Sequence, residues 1–316
     1  PSSWLGPRAE LRKLIQEGGF DIVHANGSAD HKQVMLALFG MRRRPKVIFT
    51  KHNEHAVTSF GHQLRARLAT DRVIAVSDYV KQLMLRSPYR RCGIVTVRHG
   101  IDTDFYAPVS AEQKMAAREK YLGSGFADKI VLGSAGGTDY EKGWLDLVQA
   151  IGSLAPEQRD RFHLIVAGDL PNEAKMAQVA SAGMTGHITF PGLTDDVRNI
   201  LSGCDAGFVL SYQEALSFAC RELMSMGLPV LITRAGGLPE NLDDGVEGWI
   251  VPVQQPAAIA EILKKILAEP EILPKMGQAA RKRAVQEFNL PESFRRFDQG
   301  RNPFQETPHQ AYSGGE

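Results

Sequence analysis

From residue 128 to about residue 255 the chain alternates two hydrophobic rhythms. Short runs rich in β-branched residues, KIVLGSAGG, HLIVAGD, HITFPG, AGFVLS, PVLIT and GWIVP, read as strands apolar on both faces. Between them lie stretches of helical period, such as WLDLVQAIGSLA, which puts Trp144, Leu147, Val148, Ile151 and Leu154 on one face. Further helices are predicted near 173–182, after Thr194-Asp195-Asp196, and in the stretch that ends at Gly227 and Pro229. Helix followed by strand, repeated, is the βαβ rhythm of a parallel sheet, and six strands complete one doubly wound α/β domain. The front third shows four more runs of this kind, FDIVHANG, KVIFTKH, RVIAVS and IVTVRHG. Four strands are few for such a domain, and a helix, AELRKLIQEGG, precedes the first, so earlier strands are expected to be missing from this sequence. The polar stretch YAPVSAEQKMAAREKYLGSGFADK, with Pro108 and Gly123-Ser124-Gly125, reads as a linker holding one short helix. The predicted organisation is a first domain over 1–105, a linker over 106–127, a second domain over 128–290, and a C-terminal helix and disordered tail over 291–316.

Composition narrows the setting. With 316 residues, 43% hydrophobic and 23% charged, the chain can fill one large or two medium cores. No apolar run approaches the roughly 18 residues that span a bilayer, and nothing near the start has a signal-peptide layout. Cys92, Cys204 and Cys220 fit neither a disulfide framework nor a zinc spacing, which favours a reducing cytoplasm. Net charge is +1, yet residues 1–105 hold 17 Lys and Arg against 9 Asp and Glu. Arg42, Arg43, Arg44, Arg65, Arg67, Arg86, Arg90, Arg91 and Arg98 make this part basic. Such a face suits an anionic membrane surface or a phosphorylated acceptor, as well as plain solvation. Nucleic acid is disfavoured because aromatic residues are not interleaved with the charges.

Candidate chemistry gathers in YQEALSFACRELMSMGLPV, residues 212–230. Ser217 is a predicted N-cap, with Ala219, Leu223 and Met226 as the core stripe of the helix it opens. Glu222 lies about 40° from Met226 at 3.6 residues per turn, so it flanks the buried face. Glu214 falls in the loop at a strand's carboxyl end, where open α/β sheets bind ligands, and the helix start beside it suits an anion such as a diphosphate. Downstream, TRAGGLPENLDDGVEGWIVP supplies Gly236-Gly237; upstream, TDYEKGWLDLVQAI places Lys142-Gly143 at the first strand-to-helix turn. On its own, a pair of glutamates eight apart is better explained by surface solvation.

Taken together, these residues resemble the retaining GT-B glycosyltransferases of family four, whose hallmark is Glu-x7-Glu followed by a G-x-P-V, G-G-x-P-E and D-G run. The likeness extends from Phe20 to about Leu290. It implies a GT-B fold, two Rossmann-like doubly wound parallel-sheet domains facing across a cleft, with the N-terminal domain incomplete in this chain. It also implies transfer of a sugar from a nucleotide donor, UDP- being the expected form, to a glycan or lipid-linked acceptor with retained configuration. Glu222 would take the ribose hydroxyls and Glu214 the transferred sugar. Backbone amides at Ala215, Leu216 and Ser217, with Lys142, would hold the diphosphate, and Gly236 and Gly237 would approach the donor closely. His52, ending VIFTKHN, would face the sugar, so that His52, Lys142 and Glu214 form the expected catalytic set. The arginine that many members carry five residues before the lysine is Gly137 here, leaving Lys142 alone or with a cation such as Arg234. HGIDTDFYAP, around Gly100, Asp102 and Phe105, is similar to the family's interdomain turn. Family analogy further suggests lipopolysaccharide or surface-polysaccharide synthesis, in the cytoplasm with peripheral contact at the inner membrane face.

Other signals point elsewhere and are weaker. Asp102-Thr103-Asp104 has the form of a metal-binding D-x-D but sits in the expected turn, so a structural role is preferred. His24, His31, His52, His55 and His62 lack the H-E-x-x-H spacing of a zinc helix, and neither metal nor cofactor is expected. GSAGG lacks the full dinucleotide glycine spacing. A GT-B-shaped sugar-nucleotide epimerase, a phosphorylase and a catalytically inactive nucleotide-sugar-binding subunit remain the alternatives.

Overall fold

The computed structural model describes residues 6–290, and the chain divides into two units between Arg98 and His99. In the first unit α1 (Gly6–Gly18), α2 (Ser28–Leu38), α3 (Phe60–Leu68) and α4 (Asp78–Leu85) alternate with β1 (Ile22–Ala25), β2 (Lys46–Lys51), β3 (Arg72–Ala75) and β4 (Ile94–Thr96). The four strands are parallel and lie in chain order. Ala25, Phe49 and Val73 are in register and, with Val47 and Ala75, they are buried on one face of the sheet. The alternating positions Ile22, His24, Ile48 and Ile74 remain exposed or half-buried. Helix starts are set by serine caps: Ser59 and Ser77 accept from the amides of His62 and Val80. His31 of α2 is fully buried, its ring stacked 4.4 Å from that of Phe49.

The second unit contains α5 (Ala111–Leu122), β5 (Ile130–Ser134), α6 (Trp144–Gly152), α7 (Pro156–Arg159), β6 (Phe162–Ala167), α8 (Glu173–Ser181), β7 (Ile188–Gly192), α9 (Val197–Ser202), β8 (Ala206–Val209), α10 (Phe218–Ser225), β9 (Val230–Thr233), β10 (Gly248–Val251), α11 (Pro256–Ala268) and α12 (Ile272–Arg283). Its six parallel strands are ordered β10-β9-β8-β5-β6-β7. Strand parity sorts the apolar side chains into two cores. Leu132, Leu164 and Phe208 pack with Leu147 and Leu263 on one face; Val131, Ile165 and Ile232 pack with Leu223 and Ala280 on the other. This two-sided burial is why the predicted strands read as unbroken apolar runs.

The linker expected over 106–127 differs from what is found. α5 is closed by a capping box between Ser110 and Gln113, and its Arg118 is 5% exposed. Arg118 pairs with Asp205 and donates to the carbonyl of Gly203 at 2.7 Å, so α5 belongs to the second unit. Its charges looked solvated because their partners lie some 85 residues further on. The domain boundary also moves, from 105 to His99, because the Ile101 amide donates to the Phe288 carbonyl at 2.7 Å and Leu290 returns a bond to Ile101 at 3.0 Å. The C-terminal helix and tail expected over 291–316 lie outside the described residues. Among the described residues no helix is long and apolar enough to cross a membrane.

Candidate active site

Doubly wound sheets bind ligands beyond the carboxyl ends of the strands where the strand order reverses. In the second unit that reversal lies between β5 and β8. The turn after β5 is built for close approach: the Gly137 amide donates to the Ala167 carbonyl at 3.0 Å, and the indole of buried Trp144 donates to the Thr138 carbonyl at 2.9 Å. Gly143 closes the turn at φ 65, where any Cβ would strike the Leu210 carbonyl oxygen at the end of β8. Half-buried Lys142 precedes it, with its methylenes 3.7 Å from where a Cβ on Gly136 would stand. The lysine stem thus lies over the glycine turn.

Three segments are stitched together here. Tyr212 donates its amide to the Glu141 carbonyl at 2.8 Å, and Gly237 does the same to the Glu214 carbonyl at 2.8 Å. The Thr233 hydroxyl donates to the Ser211 carbonyl at 2.5 Å. Lys142, the 214–217 loop and the Gly236-Gly237 turn, at φ 51 for Gly236, therefore form one cluster. The amide of Gly237 is used inside it, on Glu214. Ala215, Leu216 and Ser217 are buried, and Glu214 is half-buried. Ser217 has φ 83, and its hydroxyl accepts from the Cys220 amide at 3.2 Å, the cap that the sequence predicts. Glu222, on α10, is half-buried. Burial raises its pKa, while a hydrogen bond from the Tyr106 hydroxyl opposes that shift. The same burial and the neighbouring carboxylate push Tyr106 up to about 12.

His52 lies in the first unit, directly after β2 and exposed. Partial desolvation, then the charge of His24, lower its pKa. His24 itself bonds Thr50 at 2.6 Å. Lys51, on the opposite face, is 4% exposed and donates to Asn53 Oδ1 at 2.5 Å, its pKa lowered by burial. Of the basic residues singled out in this unit, Arg44 pairs with Asp71, Arg98 pairs with Asp78, and Arg65 is buried. Arg42, Arg43, Arg67, Arg86, Arg90 and Arg91 are exposed. Asp102 has the structural role expected of it: its Oδ1 accepts from the amides of Asp104 at 3.0 Å and Phe105 at 2.8 Å, closing its own turn. Among the described residues no group of His, Cys, Asp and Glu is arranged to hold a metal. Sequence reasoning missed Tyr106 and also Arg221 and Asn241, both of which are buried behind the 214–217 loop and joined at 2.8 Å. The one available signal was an arginine amid the apolar stripe of α10.

The profile of the family "Glycosyl transferases group 1" matches residues 123–283, and that of "Glycosyltransferase Family 4" matches residues 1–105. The chain is 32% identical over 163 residues to 2-deoxystreptamine glucosyltransferase of Streptomyces kanamyceticus, covering 51% of this chain and 42% of that one. It is 24% identical to N-acetyl-alpha-D-glucosaminyl L-malate synthase of Bacillus anthracis, covering 89% of this chain and 74% of that one. Among solved structures it is similar to Anabaena Alr3699/HepE in complex with UDP, with a TM-score of 0.79 at 21% identity over 93% of this chain and 82% of that chain. The two parallel α/β units have the GT-B fold. With the profile match spanning the whole site-bearing sheet, the chain belongs to the glycosyl transferases group 1 family, and it is a glycosyltransferase.

Proposed function

We propose that the protein moves a sugar from a nucleoside diphosphate donor, UDP-linked, to a glycan or lipid-linked acceptor with retention of anomeric configuration. The observation that carries this reading is the cluster of Lys142, the 214–217 loop and the Gly236-Gly237 turn at the β5/β8 reversal, with half-buried Glu222 on the helix that the loop opens. Breaking the bond between sugar and diphosphate builds oxocarbenium character on the sugar and negative charge on the leaving group. Stabilising that charge is the main task. Lys142 supplies an ammonium, and the amides ahead of α10 add fixed dipoles that need no reorganisation as the bond parts. Glu222, held in place by Tyr106, accepts the ribose hydroxyls; Glu214 binds hydroxyls of the sugar. Gly137, Gly236 and Gly237 leave room for the donor. His52 is assigned to the transferred sugar by its place after β2 and by family resemblance. A UDP donor is supported by the Anabaena protein's complex with UDP. The exposed arginines of the first unit support a phosphorylated or lipid-linked acceptor at an anionic membrane face, as in lipopolysaccharide or other surface-polysaccharide synthesis.

The test is calorimetric titration of UDP and UDP-sugars into wild type and Glu222→Ala. The expected result is a loss of at least tenfold in donor affinity, since a buried carboxylate bonded to hydroxyls is worth about 1.5–3 kcal/mol. Equal affinities would remove the ribose assignment.

A further inference from the structure

α10 carries, beside Glu222, an arginine that the transfer chemistry does not use. Arg221 is 1% exposed. Its Nε donates to Asn241 Oδ1 at 2.8 Å, and its Nη1 donates to the His99 carbonyl at 2.5 Å. Its guanidinium lies 4.2 Å from the ring centroid of Phe288. Asn241, fully buried, passes the constraint on: its Nδ2 donates to the carbonyls of Leu216 at 2.6 Å and Leu238 at 2.8 Å. An arginine only donates, so Asn241 must turn its oxygen toward Arg221 and its nitrogen toward Leu216. The amide cannot flip without losing all three bonds.

A planar trans peptide points its carbonyl and its following N–H in opposite directions. With the Leu216 carbonyl held by Asn241, the Ser217 N–H is aimed away from Asn241. The neighbouring anchor acts alike: the Gly237 amide holds the Glu214 carbonyl at 2.8 Å, so the Ala215 N–H is aimed away from Gly237. Ser217 keeps φ 83, a conformation L-residues rarely adopt, which persists only where surroundings over-determine it. Burying a guanidinium is expensive, and apolar side chains would fill the same space at lower cost. What apolar side chains cannot do is fix the direction of a peptide.

We propose that Arg221, acting through Asn241, is a positioning residue that sets the peptide orientation of the 214–217 loop for the donor's diphosphate. This rests on the donor-site reading above and deepens it. The most telling variant is Asn241→Asp. It keeps size and gives Arg221 a counter-charge, but it replaces the donor facing the Leu216 carbonyl with an oxygen. A purely structural role for the pair predicts a lowered melting temperature with UDP affinity unchanged; the positioning role predicts that UDP affinity falls as well.

The probe is UDP, titrated calorimetrically at a temperature well below the melting point of each variant, with ligand-free melting recorded alongside. Expected are affinity losses of about tenfold for Asn241→Asp and Arg221→Met, the scale of one charge-assisted hydrogen bond. Arg221→Lys, which retains a single bond, should fall between these and wild type. Wild-type UDP affinity in Asn241→Asp, or in Arg221→Met with only the melting temperature lowered, overturns the proposal. Should Arg221→Met fail to fold, Asn241→Asp and Arg221→Lys decide alone. Glu222→Ala run in parallel separates the two failures: if it weakens UDP binding while the Arg221 and Asn241 variants do not, the donor site stands and the positioning role falls.

Discussion

The two sheets of this protein are both parallel, yet their described strands differ in order and in burial. In the second unit β5, β6, β8 and β9 are buried along their whole length, and the order reverses between β5 and β8. In the first unit the described strands run in chain order and bury one face, leaving Ile22 at 56% exposure. A reversal splays the flanking loops apart and opens a crevice that a sequential order does not. Lys142 and Glu214 stand at such a crevice by topology, before any likeness to relatives is considered. His52 follows β2 in the first unit, where the described strands show no reversal, and its assignment to the sugar rests on resemblance.

The sharpest way to break this contrast is through charge at the crevice. Lys142→Ala should lower turnover by about 10²–10³-fold, the effect of removing one preorganised group that stabilises a leaving charge. The melting temperature should stay within a degree or two, because Lys142 is half-buried and outside both cores. Normal turnover would move the leaving-group role to another residue, Arg234 first. Packing tests the contrast next. Ile165→Ala empties a site 1% exposed and should cost about 2–5 kcal/mol. Ile74→Ala, at a half-buried position on the open face of the first sheet, should cost about 1 kcal/mol or less. Equal costs in denaturant melts would mean that the first sheet is covered as fully as the second.

Acid sharpens the comparison from within each core. His31 in the first unit and His163 in the second are both held to about 4 by burial. His31 faces the Ala69 carbonyl, Thr70, Arg65 and His62; His163 faces Thr189, Phe126, His187 and Lys129. In both, the unfolded chain binds the proton first as pH falls. Stability is therefore complete above the unfolded value near 6.5 and declines down to about 4, by roughly 3 kcal/mol for each histidine. His31→Gln should flatten this decline for the first unit and leave the second unit's unchanged. A pH-melting series that shows the same slope before and after the change would mean that His31 is not buried neutral.

All ten strands among the described residues were legible as β-branched runs, and the Ser217 cap and the glycine turns were legible from residue type. What was hidden shares one physical cause: it depends on partners distant in sequence. Arg118 falls in a stretch that reads as a polar linker until Asp205 is folded against it, and Arg221 shows only as an arginine amid an apolar stripe until Asn241 and the His99 carbonyl, 122 residues away, close around it. Tyr106 lies in a turn whose local pattern says nothing of Glu222. Strand order is likewise a long-range property, so the reversal that locates the crevice could be expected only from fold class.

The smallest effect separates the 214–217 loop from an ordinary helix start. Ser217 and Ser77 both cap helices through their hydroxyls, but Ser77 sits at φ −149 and Ser217 at φ 83. Serine to alanine removes the cap at either site and should cost about 1 kcal/mol. Serine to glycine at 77 loses part of the cap and adds freedom to the unfolded chain, for a cost of about 1 kcal/mol. At 217 the same two losses are offset by release of about 1 kcal/mol of backbone strain, so Ser217→Gly should be close to neutral. Paired denaturant melts measure the difference. If glycine is as harmful at 217 as at 77, the loop bears no strain there, and the constraint exerted through Asn241 shapes a conformation that the chain would adopt unaided.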